Sequence, residues 1–151
     1  ELDTPDPKRA VGYYRDPHSA GQFFPYPPPP LIYGSGSVLA TLEDLFSWHR
    51  ALYADASGTE GRLIDLLSED YATTEGPFGP YGLGLRLGTY KGRPLVHHGG
   101  GTRGVHHHFA TFPDQRLSVV VLCNAGDLKP WEWTLKIANL FLTRAAAPLS
   151  N

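Results

Sequence analysis

The chain has 151 residues, enough for one domain with a sizeable core. Its formal charge of -2 and isoelectric point near 6.4 give no basic field for nucleic acid or an anionic membrane. The longest apolar candidate, Leu117 to Cys123, has seven residues, against roughly 20 needed to cross a bilayer, so no membrane span is expected here. The single cysteine, Cys123, excludes an internal disulfide and reads as an inert thiol within an apolar strand. Compartment is left open.

Residues 1–33 are rich in proline and aromatics, with Pro25 and Pro27 to Pro30 forming a polyproline-like stretch. Proline removes N–H donors and fixes φ, which predicts an extended surface loop ahead of a folded part, 34–151. Thr41 with Asp44 three residues on is a capping pair for a helix to about Ala54. Leu42, Leu45, Phe46, His49, Leu52 and Tyr53 recur at helical spacing and are expected to form its buried face. A short helix is expected from Arg62 to about Tyr71, with Leu63, Leu66 and Leu67 inward.

From Tyr81 the period becomes two. Tyr81, Leu83, Leu85 and Leu87 alternate with Gly82, Gly84, Arg86 and Gly88, as in a strand with one apolar and one glycine face. A turn at Lys91-Gly92 returns the chain through Leu95 and Val96. Strands near Val105 to Phe112 and Leu117 to Cys123 follow, joined at Pro113-Asp114. The last is apolar on both faces, which predicts a central strand covered on each side. Pro130 suits the first turn of a final helix to about Ala147, with Trp131, Leu135, Ala138 and Leu142 on one face. The fold class is α+β, an antiparallel sheet with packed helices.

Between the strands lies the segment most suited to chemistry, His98-Gly99-Gly100-Gly101-Thr102-Arg103-Gly104. Glycines let a strand edge present bare N–H groups to a ligand, and a histidine beside such an edge exchanges a proton near neutral pH. The same run also reads as a glycine-rich turn with a solvated histidine. With Gly34 to Leu45 before it, Tyr81-Gly82-Leu83-Gly84 between, and the apolar strand ending at Asn124 after it, the order resembles the C-terminal half of the serine β-lactamase-like family. That family includes class C β-lactamases, penicillin-binding proteins, D-aminopeptidases and related esterases. The resemblance covers about residues 30 to 125. It departs at Arg103, where the family often has proline, and at Val105, where it often has an aromatic residue.

The resemblance implies the C-terminal portion of a β-lactamase/transpeptidase-like fold and a serine hydrolase acting through an acyl-enzyme on a β-lactam, a D-amino peptide or an ester. It puts His98 where β-lactamases carry the lysine of Lys-Thr-Gly, to stabilise negative charge or assist proton transfer. The backbone N–H of Gly101 becomes an oxyanion donor, with Gly99, Gly100 and Thr102 beside the substrate. No serine here is followed three residues later by lysine, and Tyr14-Arg15-Asp16 and Tyr53-Ala54-Asp55 only approximate the family's Tyr-x-Asn. A chain that opens on Glu1 and lacks methionine is therefore expected to be the C-terminal part of a longer protein, partnered by its own N-terminal half and inactive alone. A relative that has lost catalysis is the alternative, and a non-catalytic module capturing peptide by strand addition is another.

Of seven histidines, five cluster at His97, His98, His106, His107 and His108. Alternation puts His106 and His108 on one strand face and His107 on the other. If His97 or His98 lay opposite them, three imidazoles would suit zinc. Ordinary strand histidines are the other reading, and Asp114 is the nearest carboxylate. No metal or cofactor is assigned.

Overall fold

Alternating side chains between Arg86 and Cys123 build an antiparallel sheet in simple chain order. In the computed structural model, which describes residues 8–27, 34, 36, 38–54, 62–69 and 80–142, its strands are β3 (Arg86–Tyr90), β4 (Arg93–Thr102), β5 (Val105–Phe112) and β6 (Leu117–Cys123). The strands β1 (Tyr13–Arg15) and β2 (Phe23–Pro25) form a separate hairpin. The helices are α1 (Leu42–Tyr53), α2 (Leu63–Leu67) and α3 (Pro130–Leu142).

Period-two alternation sorts the sheet's residues into two cores. On one face Leu95, Ala110, Phe112 and Val119 pack against Ala138 and Leu142 of α3. On the other Val96, Leu87 and Phe109 meet Leu52 of α1 and Ile64 of α2. Both cores are built on β4 and β5, so these two strands set the frame.

The capping pair works as the sequence implies. The Asp44 N–H donates to Thr41 Oγ1 at 3.1 Å, and Asp44 Oδ2 accepts the Thr41 N–H at 2.8 Å. The Thr41 N–H and the Thr41 hydroxyl, both donating to Asp44 Oδ2, hold the Asp44 carboxyl below its usual range. Beyond the cap, α1 docks through polar contacts as much as apolar ones. His49 Nδ1 lies 2.7 Å from Ser118 Oγ, Ser118 donates to Thr111 Oγ1 at 2.9 Å, and Tyr53 OH meets the same Thr111 oxygen. Thr111 is wholly buried, so this chain satisfies a polar group that would otherwise be costly inside the sheet.

Several expectations are corrected. Only Leu52 on the expected inner face of α1 is fully buried; Leu42 and Phe46 stay 55% and 62% exposed, bordering an open hollow of about 230 Å³ against Arg116, Leu117, Ser118 and Val120. The strand expected from Tyr81 starts only at Arg86, because Gly84 at φ +78 turns the chain; Tyr81 keeps an isolated bridge to Arg86. Among the described residues β6 stands at the edge of the sheet, where a central strand was expected, since apolar faces report what lies above and below a strand rather than beside it. Cys123, at its end, is half-buried, and that burial raises its thiol pKa.

The expected loop at 1–33 contains the β1–β2 hairpin, stacked through Tyr14, Phe24 and Tyr26 and tied to the sheet by Tyr13 N–H on the Asn124 carbonyl at 2.9 Å. Residues 28–33, 70–71 and 143–147, where the polyproline stretch, the end of the second helix and the end of the last one were expected, lie outside the described residues.

The burial pattern predicts a sharp contrast between two phenylalanines. Phe112→Ala, at a fully buried site, is expected to cost about 3–5 kcal/mol in denaturant unfolding. Phe46→Ala is expected to change stability by no more than about 0.5 kcal/mol. Similar losses at both would show that α1 packs its outer face in solution.

Candidate active site

The glycine run is strand, not turn. β4 continues through His98 and the three glycines to Thr102, and the reversal falls at Arg103-Gly104, with Thr102 paired to Val105. Antiparallel register places His98 opposite Phe109, Gly99 opposite His108, Gly100 opposite His107 and Gly101 opposite His106. Three residues without side chains thus face three imidazoles.

The spacing is close enough to explain the glycines. A Cβ on Gly100 would overlap the His107 ring, with Cε1 at 2.9 Å. One on Gly101 would lie 2.8 Å from His106 Cδ2, and one on Gly99 3.2 Å from His108 Cδ2. The space above these Cα atoms, expected from sequence to admit a ligand, is taken by the histidines of the next strand. Their backbone groups are a separate matter. β3 begins only at Arg86, paired to His97, so beyond His97 β4 has no second partner strand among the described residues. The open edge runs from His98 to Thr102.

Alternation divides the imidazoles between the faces. His97, His106 and His108 lie on the α3 side, and His98 and His107 on the α1 side with Val96. His98 is half-buried, and its Nε2 lies 2.8 Å from the Tyr81 hydroxyl. His107, on the same face, is exposed at its edge while its ring covers Gly100. Desolvation first, and then the charges of His106 and His98, keep it below the ordinary histidine value.

On the other face half-buried His97 and buried His108 pair beneath Trp131. Their nitrogens, Nδ1 of His97 and Nε2 of His108, are 3.2 Å apart, and the Trp131 ring centroid lies 5.0 and 4.9 Å from theirs. His108 is 4% exposed and its Nδ1 has no hydrogen-bond partner. A bare lone pair is cheaper to bury than an orphaned N–H, so His108 Nε2–H is the donor and His97 Nδ1 the acceptor. Burial lowers both to about 4, helped at His97 by the charges of Arg86 and His98 and at His108 by those of His97, His98 and His107. The His97–His108 contact is the cross-strand meeting that a zinc site would need. His106, however, turns away to the Leu128 carbonyl at 3.1 Å, and no group of three metal-binding side chains occurs among the described residues.

Sequence reasoning singled out His98 and its glycines as candidates, and the structure brings Gly99, Gly100, Gly101 and Thr102 onto one strand beside His98. It missed Tyr81, read as an apolar strand position, and the His49–Ser118 contact. The signal for Tyr81 was a hydroxyl-bearing residue at the head of a glycine bend.

Comparison with known proteins fits this architecture. The family model described as Beta-lactamase matches residues 1–132. The chain belongs to the beta-lactamase family. A D-aminopeptidase of Brucella anthropi is 33% identical over 94 residues, covering 60% of this chain and 17% of that protein. One of Gluconobacter oxydans (strain 621H) is 32% identical over 91 residues, with the same shares. Another from Brucella anthropi is 32% identical over 119 residues, 78% of this chain and 22% of the relative. The chain therefore spans about a fifth of the length of the curated relatives it matches. Together the family match and the D-aminopeptidase relatives support a serine-hydrolase family.

The His97–His108 pair has a pH signature. Each imidazole binds its proton less readily in the folded chain than in the unfolded one, so the stability it contributes is fully present above pH 6.5 and is lost as pH falls toward about 4. Thermal unfolding across that window is expected to show a falling Tm, and His108→Gln is expected to flatten the profile. An equally steep profile in the variant would place the loss elsewhere.

Proposed function

We propose that this chain is the C-terminal part of a serine hydrolase that forms an acyl-enzyme with a D-amino peptide or a related acyl substrate. The observation that carries the reading is the β4 edge. His98 stands at the point where pairing with β3 stops, and the backbone from His98 to Thr102 lies along an edge with no second strand among the described residues. An extended acyl substrate laid along it would find backbone N–H and C=O groups and one imidazole. The names of the D-aminopeptidase relatives favour a D-amino peptide over a β-lactam or a simple ester.

In this reading the nucleophilic serine comes from the remainder of the polypeptide, because no serine here has a lysine three residues on. The Gly101 N–H donates to the carbonyl oxygen as it becomes an oxyanion, beside a second donor at the serine. One such donor is typically worth about 3 kcal/mol in the transition state. His98 supplies a hydrogen bond to the developing charge or to the leaving amine. Gly99, Gly100 and Thr102 border the bound acyl group.

The test uses a longer polypeptide that joins this chain to the part preceding it. It is expected to turn over a chromogenic D-amino acid amide, whereas the chain alone shows no turnover. His98→Ala in the longer protein is expected to lower the acylation rate roughly 100-fold, the low end for one acid-base group, with a smaller loss for His107→Ala. Turnover by the chain alone, or an unchanged acylation rate in His98→Ala, would contradict the reading. Peptide binding without any turnover by the longer protein would point instead to a module that captures strands.

A further inference from the structure

The segment Tyr81-Gly82-Leu83-Gly84 is a tight bend that needs glycine at Gly82 because of backbone crowding and favours it at Gly84 because of a left-handed φ of +78. A Cβ on Gly82 would overlap the Leu67 carbonyl and come within 3.1 Å of the Glu69 carbonyl oxygen, so only glycine fits against the end of α2. Four backbone bonds lock the bend: Gly82 N–H to Leu85 O at 2.8 Å, Leu83 N–H to Leu67 O at 3.1 Å, Gly84 N–H to Gly82 O at 2.9 Å, and Leu87 N–H to Pro80 O at 2.9 Å. With its bridge to Arg86, which lies opposite His97, Tyr81 is delivered to the start of the open β4 edge.

There its hydroxyl meets His98 Nε2 at 2.8 Å, with the two rings nearly perpendicular, 5.9 Å between centroids and 86° between planes. A phenol is a better donor than acceptor, because its oxygen lone pairs are drawn into the ring. A neutral imidazole offers one bare nitrogen, a strong acceptor. The favourable pairing has Tyr81 O–H donating to a bare Nε2, which leaves the imidazole proton on Nδ1.

We propose that Tyr81 is a positioning residue that holds His98 in the tautomer protonated on Nδ1, so that Nδ1–H is the group His98 presents at the open edge. This rests on the reading in which His98 acts on an acyl substrate. With Nε2 engaged, His98 works through Nδ1 alone: it donates to developing negative charge and takes no proton through Nε2 unless the Tyr81 hydroxyl turns away. The bend between α2 and β3 then has a task in the chemistry, which is to aim one hydroxyl. It also accounts for a tyrosine, rather than any apolar residue, at the head of the bend.

The test reads the ring nitrogens directly. Long-range proton–nitrogen correlation spectra of the labelled chain at neutral pH, with the His98 signals assigned by their loss in His98→Asn, report which nitrogen carries the proton. Wild-type His98 is expected to show a protonated Nδ1 and a bare Nε2. In Tyr81→Phe the proton is expected to move so that the Nε2–H form, which free imidazoles favour, predominates. A wild-type His98 protonated on Nε2 overturns the proposal whatever the variant does, and so does an unchanged tautomer in a folded Tyr81→Phe. In the longer polypeptide, Tyr81→Phe is expected to lower kcat about tenfold with KM unchanged, by analogy with groups that orient metal-bound imidazoles. A tautomer that shifts while kcat stays constant would keep the Tyr81–His98 pairing and remove His98 from the reaction, so the two failures are told apart.

Discussion

The register between β4 and β5 is the constraint from which the rest follows. It sets Gly99, Gly100 and Gly101 opposite His108, His107 and His106, and each imidazole lies where the facing residue would carry its Cβ. A slip of one residue would send every side chain to the other face. Leu95 and Phe112 would leave the α3 core, Val96 would leave the α1 core, and His98 would turn from Tyr81 to Trp131. The glycines and histidines are thus one feature, and the glycines cannot be read without the strand that faces them.

That register sends neighbouring histidines to opposite faces. His97 and His108 lie under Trp131 with one hydrogen bond between them, and desolvation keeps them neutral, as structural groups. His98, one residue along, faces the other way, at the point where pairing with β3 ends and the sheet edge opens. Above that second face α1 is only half docked. The polar chain from His49 through Ser118 to Thr111 and Tyr53 anchors it, while Leu42, Phe46 and Trp48 remain exposed. The outer side of α3 likewise exposes Trp133, Leu140 and Phe141. Uncovered apolar faces on both layers suit the proposed reading, in which this chain packs with further polypeptide.

Much of this was legible in the residues. The capping pair at Thr41 and Asp44, the turn at Lys91-Gly92, the strands around Val105 to Cys123 and the start of the last helix at Pro130 all have local causes, and all stand where the pattern places them. What escaped was nonlocal. The strand read at Tyr81 is a bend, because period-two alternation with glycine looks the same whether the glycines face a ligand or fit under the end of α2. The edge position of β6 depends on in-plane neighbours, which apolar pattern does not encode. The hairpin at Tyr13 to Pro25 was hidden by prolines that read as loop. For the candidate site, the motif points to His98 and its glycines, but what occupies the space over the glycines could be known only from register.

A double-mutant cycle between Gly100 and His107 tests that register most directly. If the imidazole of His107 occupies the space of a Gly100 Cβ, the ring must shift in Gly100→Ala, so that substitution should destabilise the chain more in the wild-type background than in His107→Ala, where the ring is gone. A coupling of about 1 kcal/mol or more in denaturant unfolding is the predicted result. Additive losses, with Gly100→Ala equally costly whether or not His107 keeps its ring, would contradict the facing of glycines and histidines on which the account depends.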